Sequence, residues 1–298
     1  MEFAHQSVMP KQVVDYLVTQ PEGLYVDATL GAGGDAERLL QAYPFLRVVG
    51  IDQDPEALAY AIDRLQSYGP RFTAVRGNFR DMKRLLASVG VNAVDGVVFD
   101  LGVSSPQLDR RDRGFSYQHP DAPLDMRMDP DNPVTAFRLV NQKSEEEIRE
   151  ALRQWGEERW AKRIAAFIVK ARAEEPIRTT GQLVEIIRAA IPAAKRRSGG
   201  HPARRTFQAL RIWVNDELAA LKDGLGEAWQ VLNPGGRLVV ISFHSLEDRI
   251  VKQQFREWSD QGLARLVTKH PLTPEDREVE ENPRARSAKL RVVEKNKE

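Results

Sequence analysis

Leu24-Tyr25-Val26-Asp27-Ala28-Thr29, running into Leu30-Gly31-Ala32-Gly33-Gly34, is an apolar stretch that stops abruptly at a cluster of glycines. The stretch reads as a strand. Residues 35–43, with Leu39 and Leu40 as apolar positions, read as the helix behind the turn. Working outward, the pattern repeats. Residues 47–51 form a second strand, followed by a helix with Leu58, Ile62 and Leu65 on one face. Residues 72–75 form a third strand, followed by a helix with Met82, Leu85 and Leu86; residues 96–99 form a fourth strand. Short strands separated by helices of this length predict right-handed βαβ units and a parallel sheet.

The next buried-strand pattern, Arg237-Leu238-Val239-Val240-Ile241-Ser242, begins far beyond the roughly 30 residues that a βαβ unit occupies. The surplus is helical in pattern, over residues 145–152, 160–173, 180–191 and 207–221. An inserted all-helical subdomain is expected at 105–205, dividing the α/β domain into 1–104 and 206–298, with the helix from Phe207 leading back into the sheet. Residues 264–269 and 287–293 read as an antiparallel pair at the sheet edge, and the acidic segment 274–281 as an exposed, mobile loop.

Bulk composition narrows the function classes. The net charge is only +1, so attraction to nucleic acid must come from local patches. There are no cysteines, which excludes disulfides, thiolate metal sites and thiol nucleophiles. Five scattered histidines and unpatterned acids form no metal-ligand set. No run approaches the roughly 20 apolar residues of a membrane span, and the start lacks the pattern of a signal peptide. A cytoplasmic protein is expected.

The glycine turn lies beyond the carboxyl end of the first strand, where parallel sheets bind nucleotides. Gly31-x-Gly33-x-x-Ala36 also fits the loose dinucleotide pattern, so the loop alone leaves NAD open. Asp27 and Asp35 point elsewhere, because negative charge there repels a pyrophosphate and suits the sulfonium and amino groups of S-adenosylmethionine. Asp54, before Pro55, has the signature of a helix N-cap. Asp52 is then free to accept hydrogen bonds from both hydroxyls of a ribose. Phe79 suits either an adenine face or the core.

Longer motifs follow: Asp100-Leu101-Gly102-Val103-Ser104-Ser105-Pro106-Gln107-Leu108-Asp109, Arg113-Gly114-Phe115-Ser116, Pro123-Leu124-Asp125-Met126-Arg127-Met128 and Gly156-Glu157-Glu158-Arg159. Beyond them stand Arg205-Thr206-Phe207-Gln208-Ala209-Leu210-Arg211-Ile212, Ser242-Phe243-His244-Ser245-Leu246-Glu247-Asp248-Arg249 and Asn282-Pro283-Arg284-Ala285-Arg286-Ser287-Ala288. Together they resemble the bacterial ribosomal RNA small subunit methyltransferase H family, from His5 to the last strand. The resemblance implies a Rossmann-like class I sheet, S-adenosylmethionine as cofactor, and methylation of N4 of a cytidine in the 16S rRNA of the small ribosomal subunit. It also implies that Gly33, Gly34, Asp35, Asp52, Phe79, Asp100 and Gln107 contact the cofactor. The family usually carries His where this chain has Asp35, and Val8-Met9-Pro10 matches its opening run only loosely.

Asp100, at the end of the fourth strand, is placed to meet the cofactor and, as the candidate catalytic residue, the acceptor amine. The Asp/Asn-Pro-Pro-aromatic run of many amino-methyltransferases is replaced here by Asp100-Leu101-Gly102-Val103. Methylation of a pyrimidine C5 through a cysteine adduct is impossible without cysteine. Ser245-Leu246-Glu247-Asp248 fits a helix N-cap pattern, and His244 beside it is a candidate substrate contact. Lys195, Arg196, Arg197, Arg204, Arg205 and Arg211, with His201 among them, form a basic segment suited to RNA phosphates, which Arg284, Arg286, Lys289 and Arg291 could extend. An NAD-linked oxidoreductase and a non-catalytic rRNA-binding assembly factor are the rival readings.

Overall fold

The structure, a computed structural model, describes residues 7–104, 107–108, 110–195 and 200–297. It divides into two compact units, residues 1–104 with 218–298, and residues 105–217.

The first unit is built on seven strands: β1 Leu24–Asp27, β2 Arg47–Asp52, β3 Phe72–Arg76, β4 Val94–Asp100, β5 Leu232–Ser242, β6 Ala264–Leu266 and β7 Lys289–Lys295. Their order is β3-β2-β1-β4-β5-β7-β6. β3, β2, β1, β4 and β5 are mutually parallel; β7 runs antiparallel to both β5 and β6. This is the Rossmann-like class I arrangement expected from the sequence. One detail differs, in that β7 inserts between β5 and β6, so the late pair includes an interior strand.

Both sheet faces are buried, which is why these strands read as continuous apolar runs. The residues nonetheless segregate by period two. Val26, Val49, Val97, Leu238, Val240 and Val293 face one core cluster, with Phe255 and Leu225 from covering helices. Tyr25, Val48, Val98, Val239, Ile241 and Val292 face the other, with Leu39 and Leu65. The helices of this unit are α1 Pro10–Leu17, α2 Gly34–Ala42, α3 Pro55–Leu65 and α4 Met82–Ser88 in the first half. The acidic segment expected to be a mobile loop holds the helix Asp276–Glu281 instead, and Glu278 accepts a 2.5 Å hydrogen bond from the amide of Met9.

The second unit is helical. It contains α5 Ala136–Gln142, α6 Glu145–Gly156, α7 Ala161–Glu174, α8 Thr180–Ala190 and α9 Arg204–Asn215. Ser144 with Glu147 and Thr179 with Gln182 form capping boxes that start α6 and α8. The single helix expected over 207–221 is two: α9, then α10 Glu217–Val231. Asp216 separates them in a left-handed conformation, φ 50°, ψ 38°. α9 packs against α6. The close approach is at Gly156, where a Cβ would lie 2.7 Å from the Arg205 carbonyl. The compact unit 105–217 includes α9. Among the described residues no helix is long and apolar enough to cross a membrane.

Candidate cofactor and acceptor site

At the carboxyl end of β1 the chain turns through Gly31 (φ 49°) and Gly33 (φ 79°) into α2. The left-handed backbone and tight quarters together require glycine: a Cβ on Gly33 would meet Leu65 Cδ1 at 3.0 Å. Gly33 is also the N-cap of α2, so Gly34 and the first-turn amides follow directly from the loop.

Asp52, at the tip of β2, holds this loop. Its Oδ2 accepts from the Gly31 amide at 2.7 Å and its Oδ1 from the Asp54 amide at 2.8 Å. Each carboxylate oxygen keeps a second lone pair, so each can still accept another donor beside its structural role. Burial pushes Asp52 up to about 6 despite these donors. Asp54 is the helix cap expected, accepting from the Glu56 amide at 3.0 Å with Pro55 behind it.

Carboxylates crowd the neighbouring strand tips. Asp27 and Asp35 are buried, and Asp100 ends β4 with its Oδ1 shielded from solvent. Burial lifts Asp27 and Asp100 well above the usual carboxylate range, and their mutual repulsion with Asp35 lifts them further. Asp35 is raised to about 6 by burial, with Ser7 and Arg38 pulling the other way. Glu247 adds its repulsion to Asp100. Among the described residues, Asp35 Oδ1 and Asp100 Oδ1 have no hydrogen-bond partner. Such a cluster costs free energy unless something cationic completes it. The ammonium and sulfonium groups of S-adenosylmethionine match that need, whereas a pyrophosphate would be repelled.

Asp100 is fixed from its backbone: its amide donates to Thr29 Oγ1 at 2.7 Å, and its strand pairs Asp100 with Ile241. Phe79, in the turn after β3, packs edge-on against Phe99 with centroids 5.5 Å apart and sits on Gly224, where a Cβ would lie 2.5 Å from its ring. The core reading of Phe79 is thus satisfied, and the ring remains half-buried. Gln107 is buried and belongs to the helical unit.

A family model described as the MraW methylase family matches residues 2–296. The chain belongs to that family. Ribosomal RNA small subunit methyltransferase H of Symbiobacterium thermophilum is 53% identical, with 98% of this chain and 97% of that protein covered. The protein of the same name from Heliobacterium modesticaldum is also 53% identical, with 99% of each covered. That from Geobacter sulfurreducens is 52% identical, with 99% of this chain and all of that protein covered.

In this MraW-family methylase the segment after β5 is arranged differently from the sequence expectation. His244, not Ser245, is the N-cap of α11 Ser245–Asp260, and its partner in the capping box is Glu247. Asp248 has a structural role of another kind: it accepts from Arg291 at 2.7 Å and lies 3.3 Å from Lys289, both on β7. Arg291 is buried, so it does not extend a basic surface as expected, whereas Lys289 is paired with Asp248 but part-exposed.

The basic segment is divided too. Arg196 and Arg197 lie outside the described residues, as does the side chain of Lys195. Arg204 and Arg205 are exposed in the first turn of α9. Arg205 donates to the Glu157 carbonyl at 3.0 Å. Arg211 is paired bidentately with Glu217, at 2.8 Å for both bonds, which removes it from the phosphate-binding set. Beside this turn stands an aromatic group that no sequence pattern signals: His201 stacks on Tyr117 at 4.2 Å, and Tyr117 meets Phe207 edge-on at 5.7 Å. Burial, with Arg188 nearby, lowers the proton affinity of His201.

Proposed function

We propose that this chain transfers the methyl group of S-adenosylmethionine to the N4 amine of a cytidine in the 16S rRNA of the small ribosomal subunit. It acts in the cytoplasm, where that subunit is built. The observation that carries the reading is the buried group of Asp27, Asp35 and Asp100 with two unpartnered oxygens, beside a glycine loop pinned by Asp52, in a chain of a methylase family. The names of relatives about half identical over nearly their whole length support the rRNA substrate.

When bound, the cofactor supplies an electrophilic methyl group on a sulfonium, open to in-line displacement. The chain's own residues do the rest by position and charge. The Gly33–Gly34 turn lets the backbone approach the ligand, Asp35 and Asp27 face its cationic end, Asp52 takes ribose hydroxyls, and Phe79 flanks the base. Asp100 accepts one hydrogen of the cytosine amine. That contact turns the lone pair out of conjugation with the ring, and Asp100 then takes the proton released as N4 gains its methyl group. High proton affinity suits an acceptor in that position. Arg204 and Arg205, with Lys195, Arg196 and Arg197, hold rRNA phosphates, and the target base leaves its stack to reach the cleft.

The test is nucleoside analysis of rRNA treated with purified protein and labelled S-adenosylmethionine. N4-methylcytidine is the expected product. A label on a ring carbon would refute the chemistry, and cofactor binding without incorporation would favour an assembly factor.

A further inference from the structure

We infer that His244 donates a hydrogen bond to the ring nitrogen beside the target amine, and so works with Asp100 as a two-point reader of the base. The inference rests on the cytidine reading above and names the residue that orients the acceptor there.

The capping role of His244 fixes its proton. Its Nδ1 accepts from the Glu247 amide at 3.4 Å, and a ring nitrogen that accepts carries no hydrogen. In the neutral imidazole the hydrogen therefore sits on Nε2. That atom is buried and has no hydrogen-bond partner among the described residues. Glu247 Oε1 is 3.2 Å away but out of line with the N–H. Glu247 Oε2 is occupied by the amides of Phe243 at 2.8 Å and His244 at 3.3 Å. The helix start thus holds a fixed, unspent donor.

The matching unspent acceptor is Asp100 Oδ1. The two groups follow the carboxyl ends of adjacent parallel strands. Asp100 pairs with Ile241, the Leu101 amide donates to the Ile241 carbonyl at 3.0 Å, and a Cβ on Gly102 would lie 3.6 Å from the ring of Phe243. An acceptor beside a donor is the complement of cytosine's N4–H and N3. Uracil and guanine present a carbonyl beside an N–H, which opposes both contacts. Adenine presents the same pair as cytosine, so these two contacts alone do not tell the two apart. With its hydrogen on Nε2, His244 cannot take the proton released at N4; Asp100 does.

The test separates capping from donation. His244→Asn and His244→Asp both keep a strong N-cap, but only Asn offers an N–H. Methyl transfer is measured on small-subunit RNA carrying cytidine or 3-deazacytidine at the target, where C–H replaces N3. For the unmodified enzyme the deaza base should lower kcat/KM by roughly 10-fold or more. His244→Asp should lose about as much on cytidine and lose no more on the deaza base, with His244→Asn between them. Multiplied losses, or full activity of His244→Asp on cytidine, would overturn the role of His244. No transfer by the unmodified enzyme to cytidine would overturn the function itself.

Discussion

Asp52 joins two tasks in one side chain, because the oxygens offered to a ribose also hold Gly31 and Asp54 in place. Asp52→Ala should weaken S-adenosylmethionine binding at least roughly 10-fold by calorimetry, and should also lower the melting temperature of the ligand-free protein, since two amides lose their acceptor. Unchanged affinity would remove Asp52 from the site. Gly33→Ala should cost about 1–2 kcal/mol from its positive φ alone, read by denaturant unfolding, and more where Leu65 cannot give way. The sequence made Asp54 legible, because Asp-Pro at a helix start has one common meaning. His244 was misread by one position. Ser245-x-x-Asp248 fits the usual capping pattern, but so does His244-x-x-Glu247, and only packing decides: Asp248 is drawn off to Arg291. The unpartnered oxygens of Asp35 and Asp100 were invisible, since a sequence names acids without saying which ones lack partners.

Among the elements, β1 to β5 were legible because both of their faces are covered and their apolar runs are bounded by glycine, proline or acids. The break at Asp216 was not. A left-handed residue other than glycine leaves only the faint signal Asn215-Asp216 in an apolar periodicity that continues on either side. Asp216→Gly should be neutral or mildly stabilising, whereas Asp216→Val should cost about 1–2 kcal/mol in unfolding experiments. The ion pair from α11 to β7 gives a sharper test. Asp248→Ala leaves Arg291 buried without its carboxylate, a loss of about 3–5 kcal/mol, while the paired change Asp248→Leu with Arg291→Met should recover most of it. Equal destabilisation by the single and paired changes would show that shape, not charge, matters there.

Across the whole molecule, the carboxylate cluster makes ligand binding and stability respond to pH in opposite directions. Asp35 and Asp52 bind protons up to about 6 in the folded chain and only to about 4 when unfolded. Between those values the native state holds more protons, so the stability of the ligand-free protein should fall as pH rises through that window. A cationic ligand favours the ionised cluster, so affinity for S-adenosylmethionine should climb from pH 5 to pH 7, with protons released on binding. Calorimetry in buffers of differing ionisation enthalpy measures both; a flat profile would mean that the carboxylates do not face the ligand. On the helical unit, Arg204→Ala with Arg205→Ala should weaken rRNA binding, reduce its salt dependence and leave cofactor affinity intact.

The place of β7 has a consequence for synthesis. Among the described residues β6 pairs only with β7, and β7 fills the slot beside β5. While the chain emerges from its own ribosome, the helical insertion can finish folding as a contiguous piece, but the sheet waits with one edge open until Lys295 is free. A nascent chain stalled short of that strand should be far more prone to protease attack and clumping than one released a few codons later.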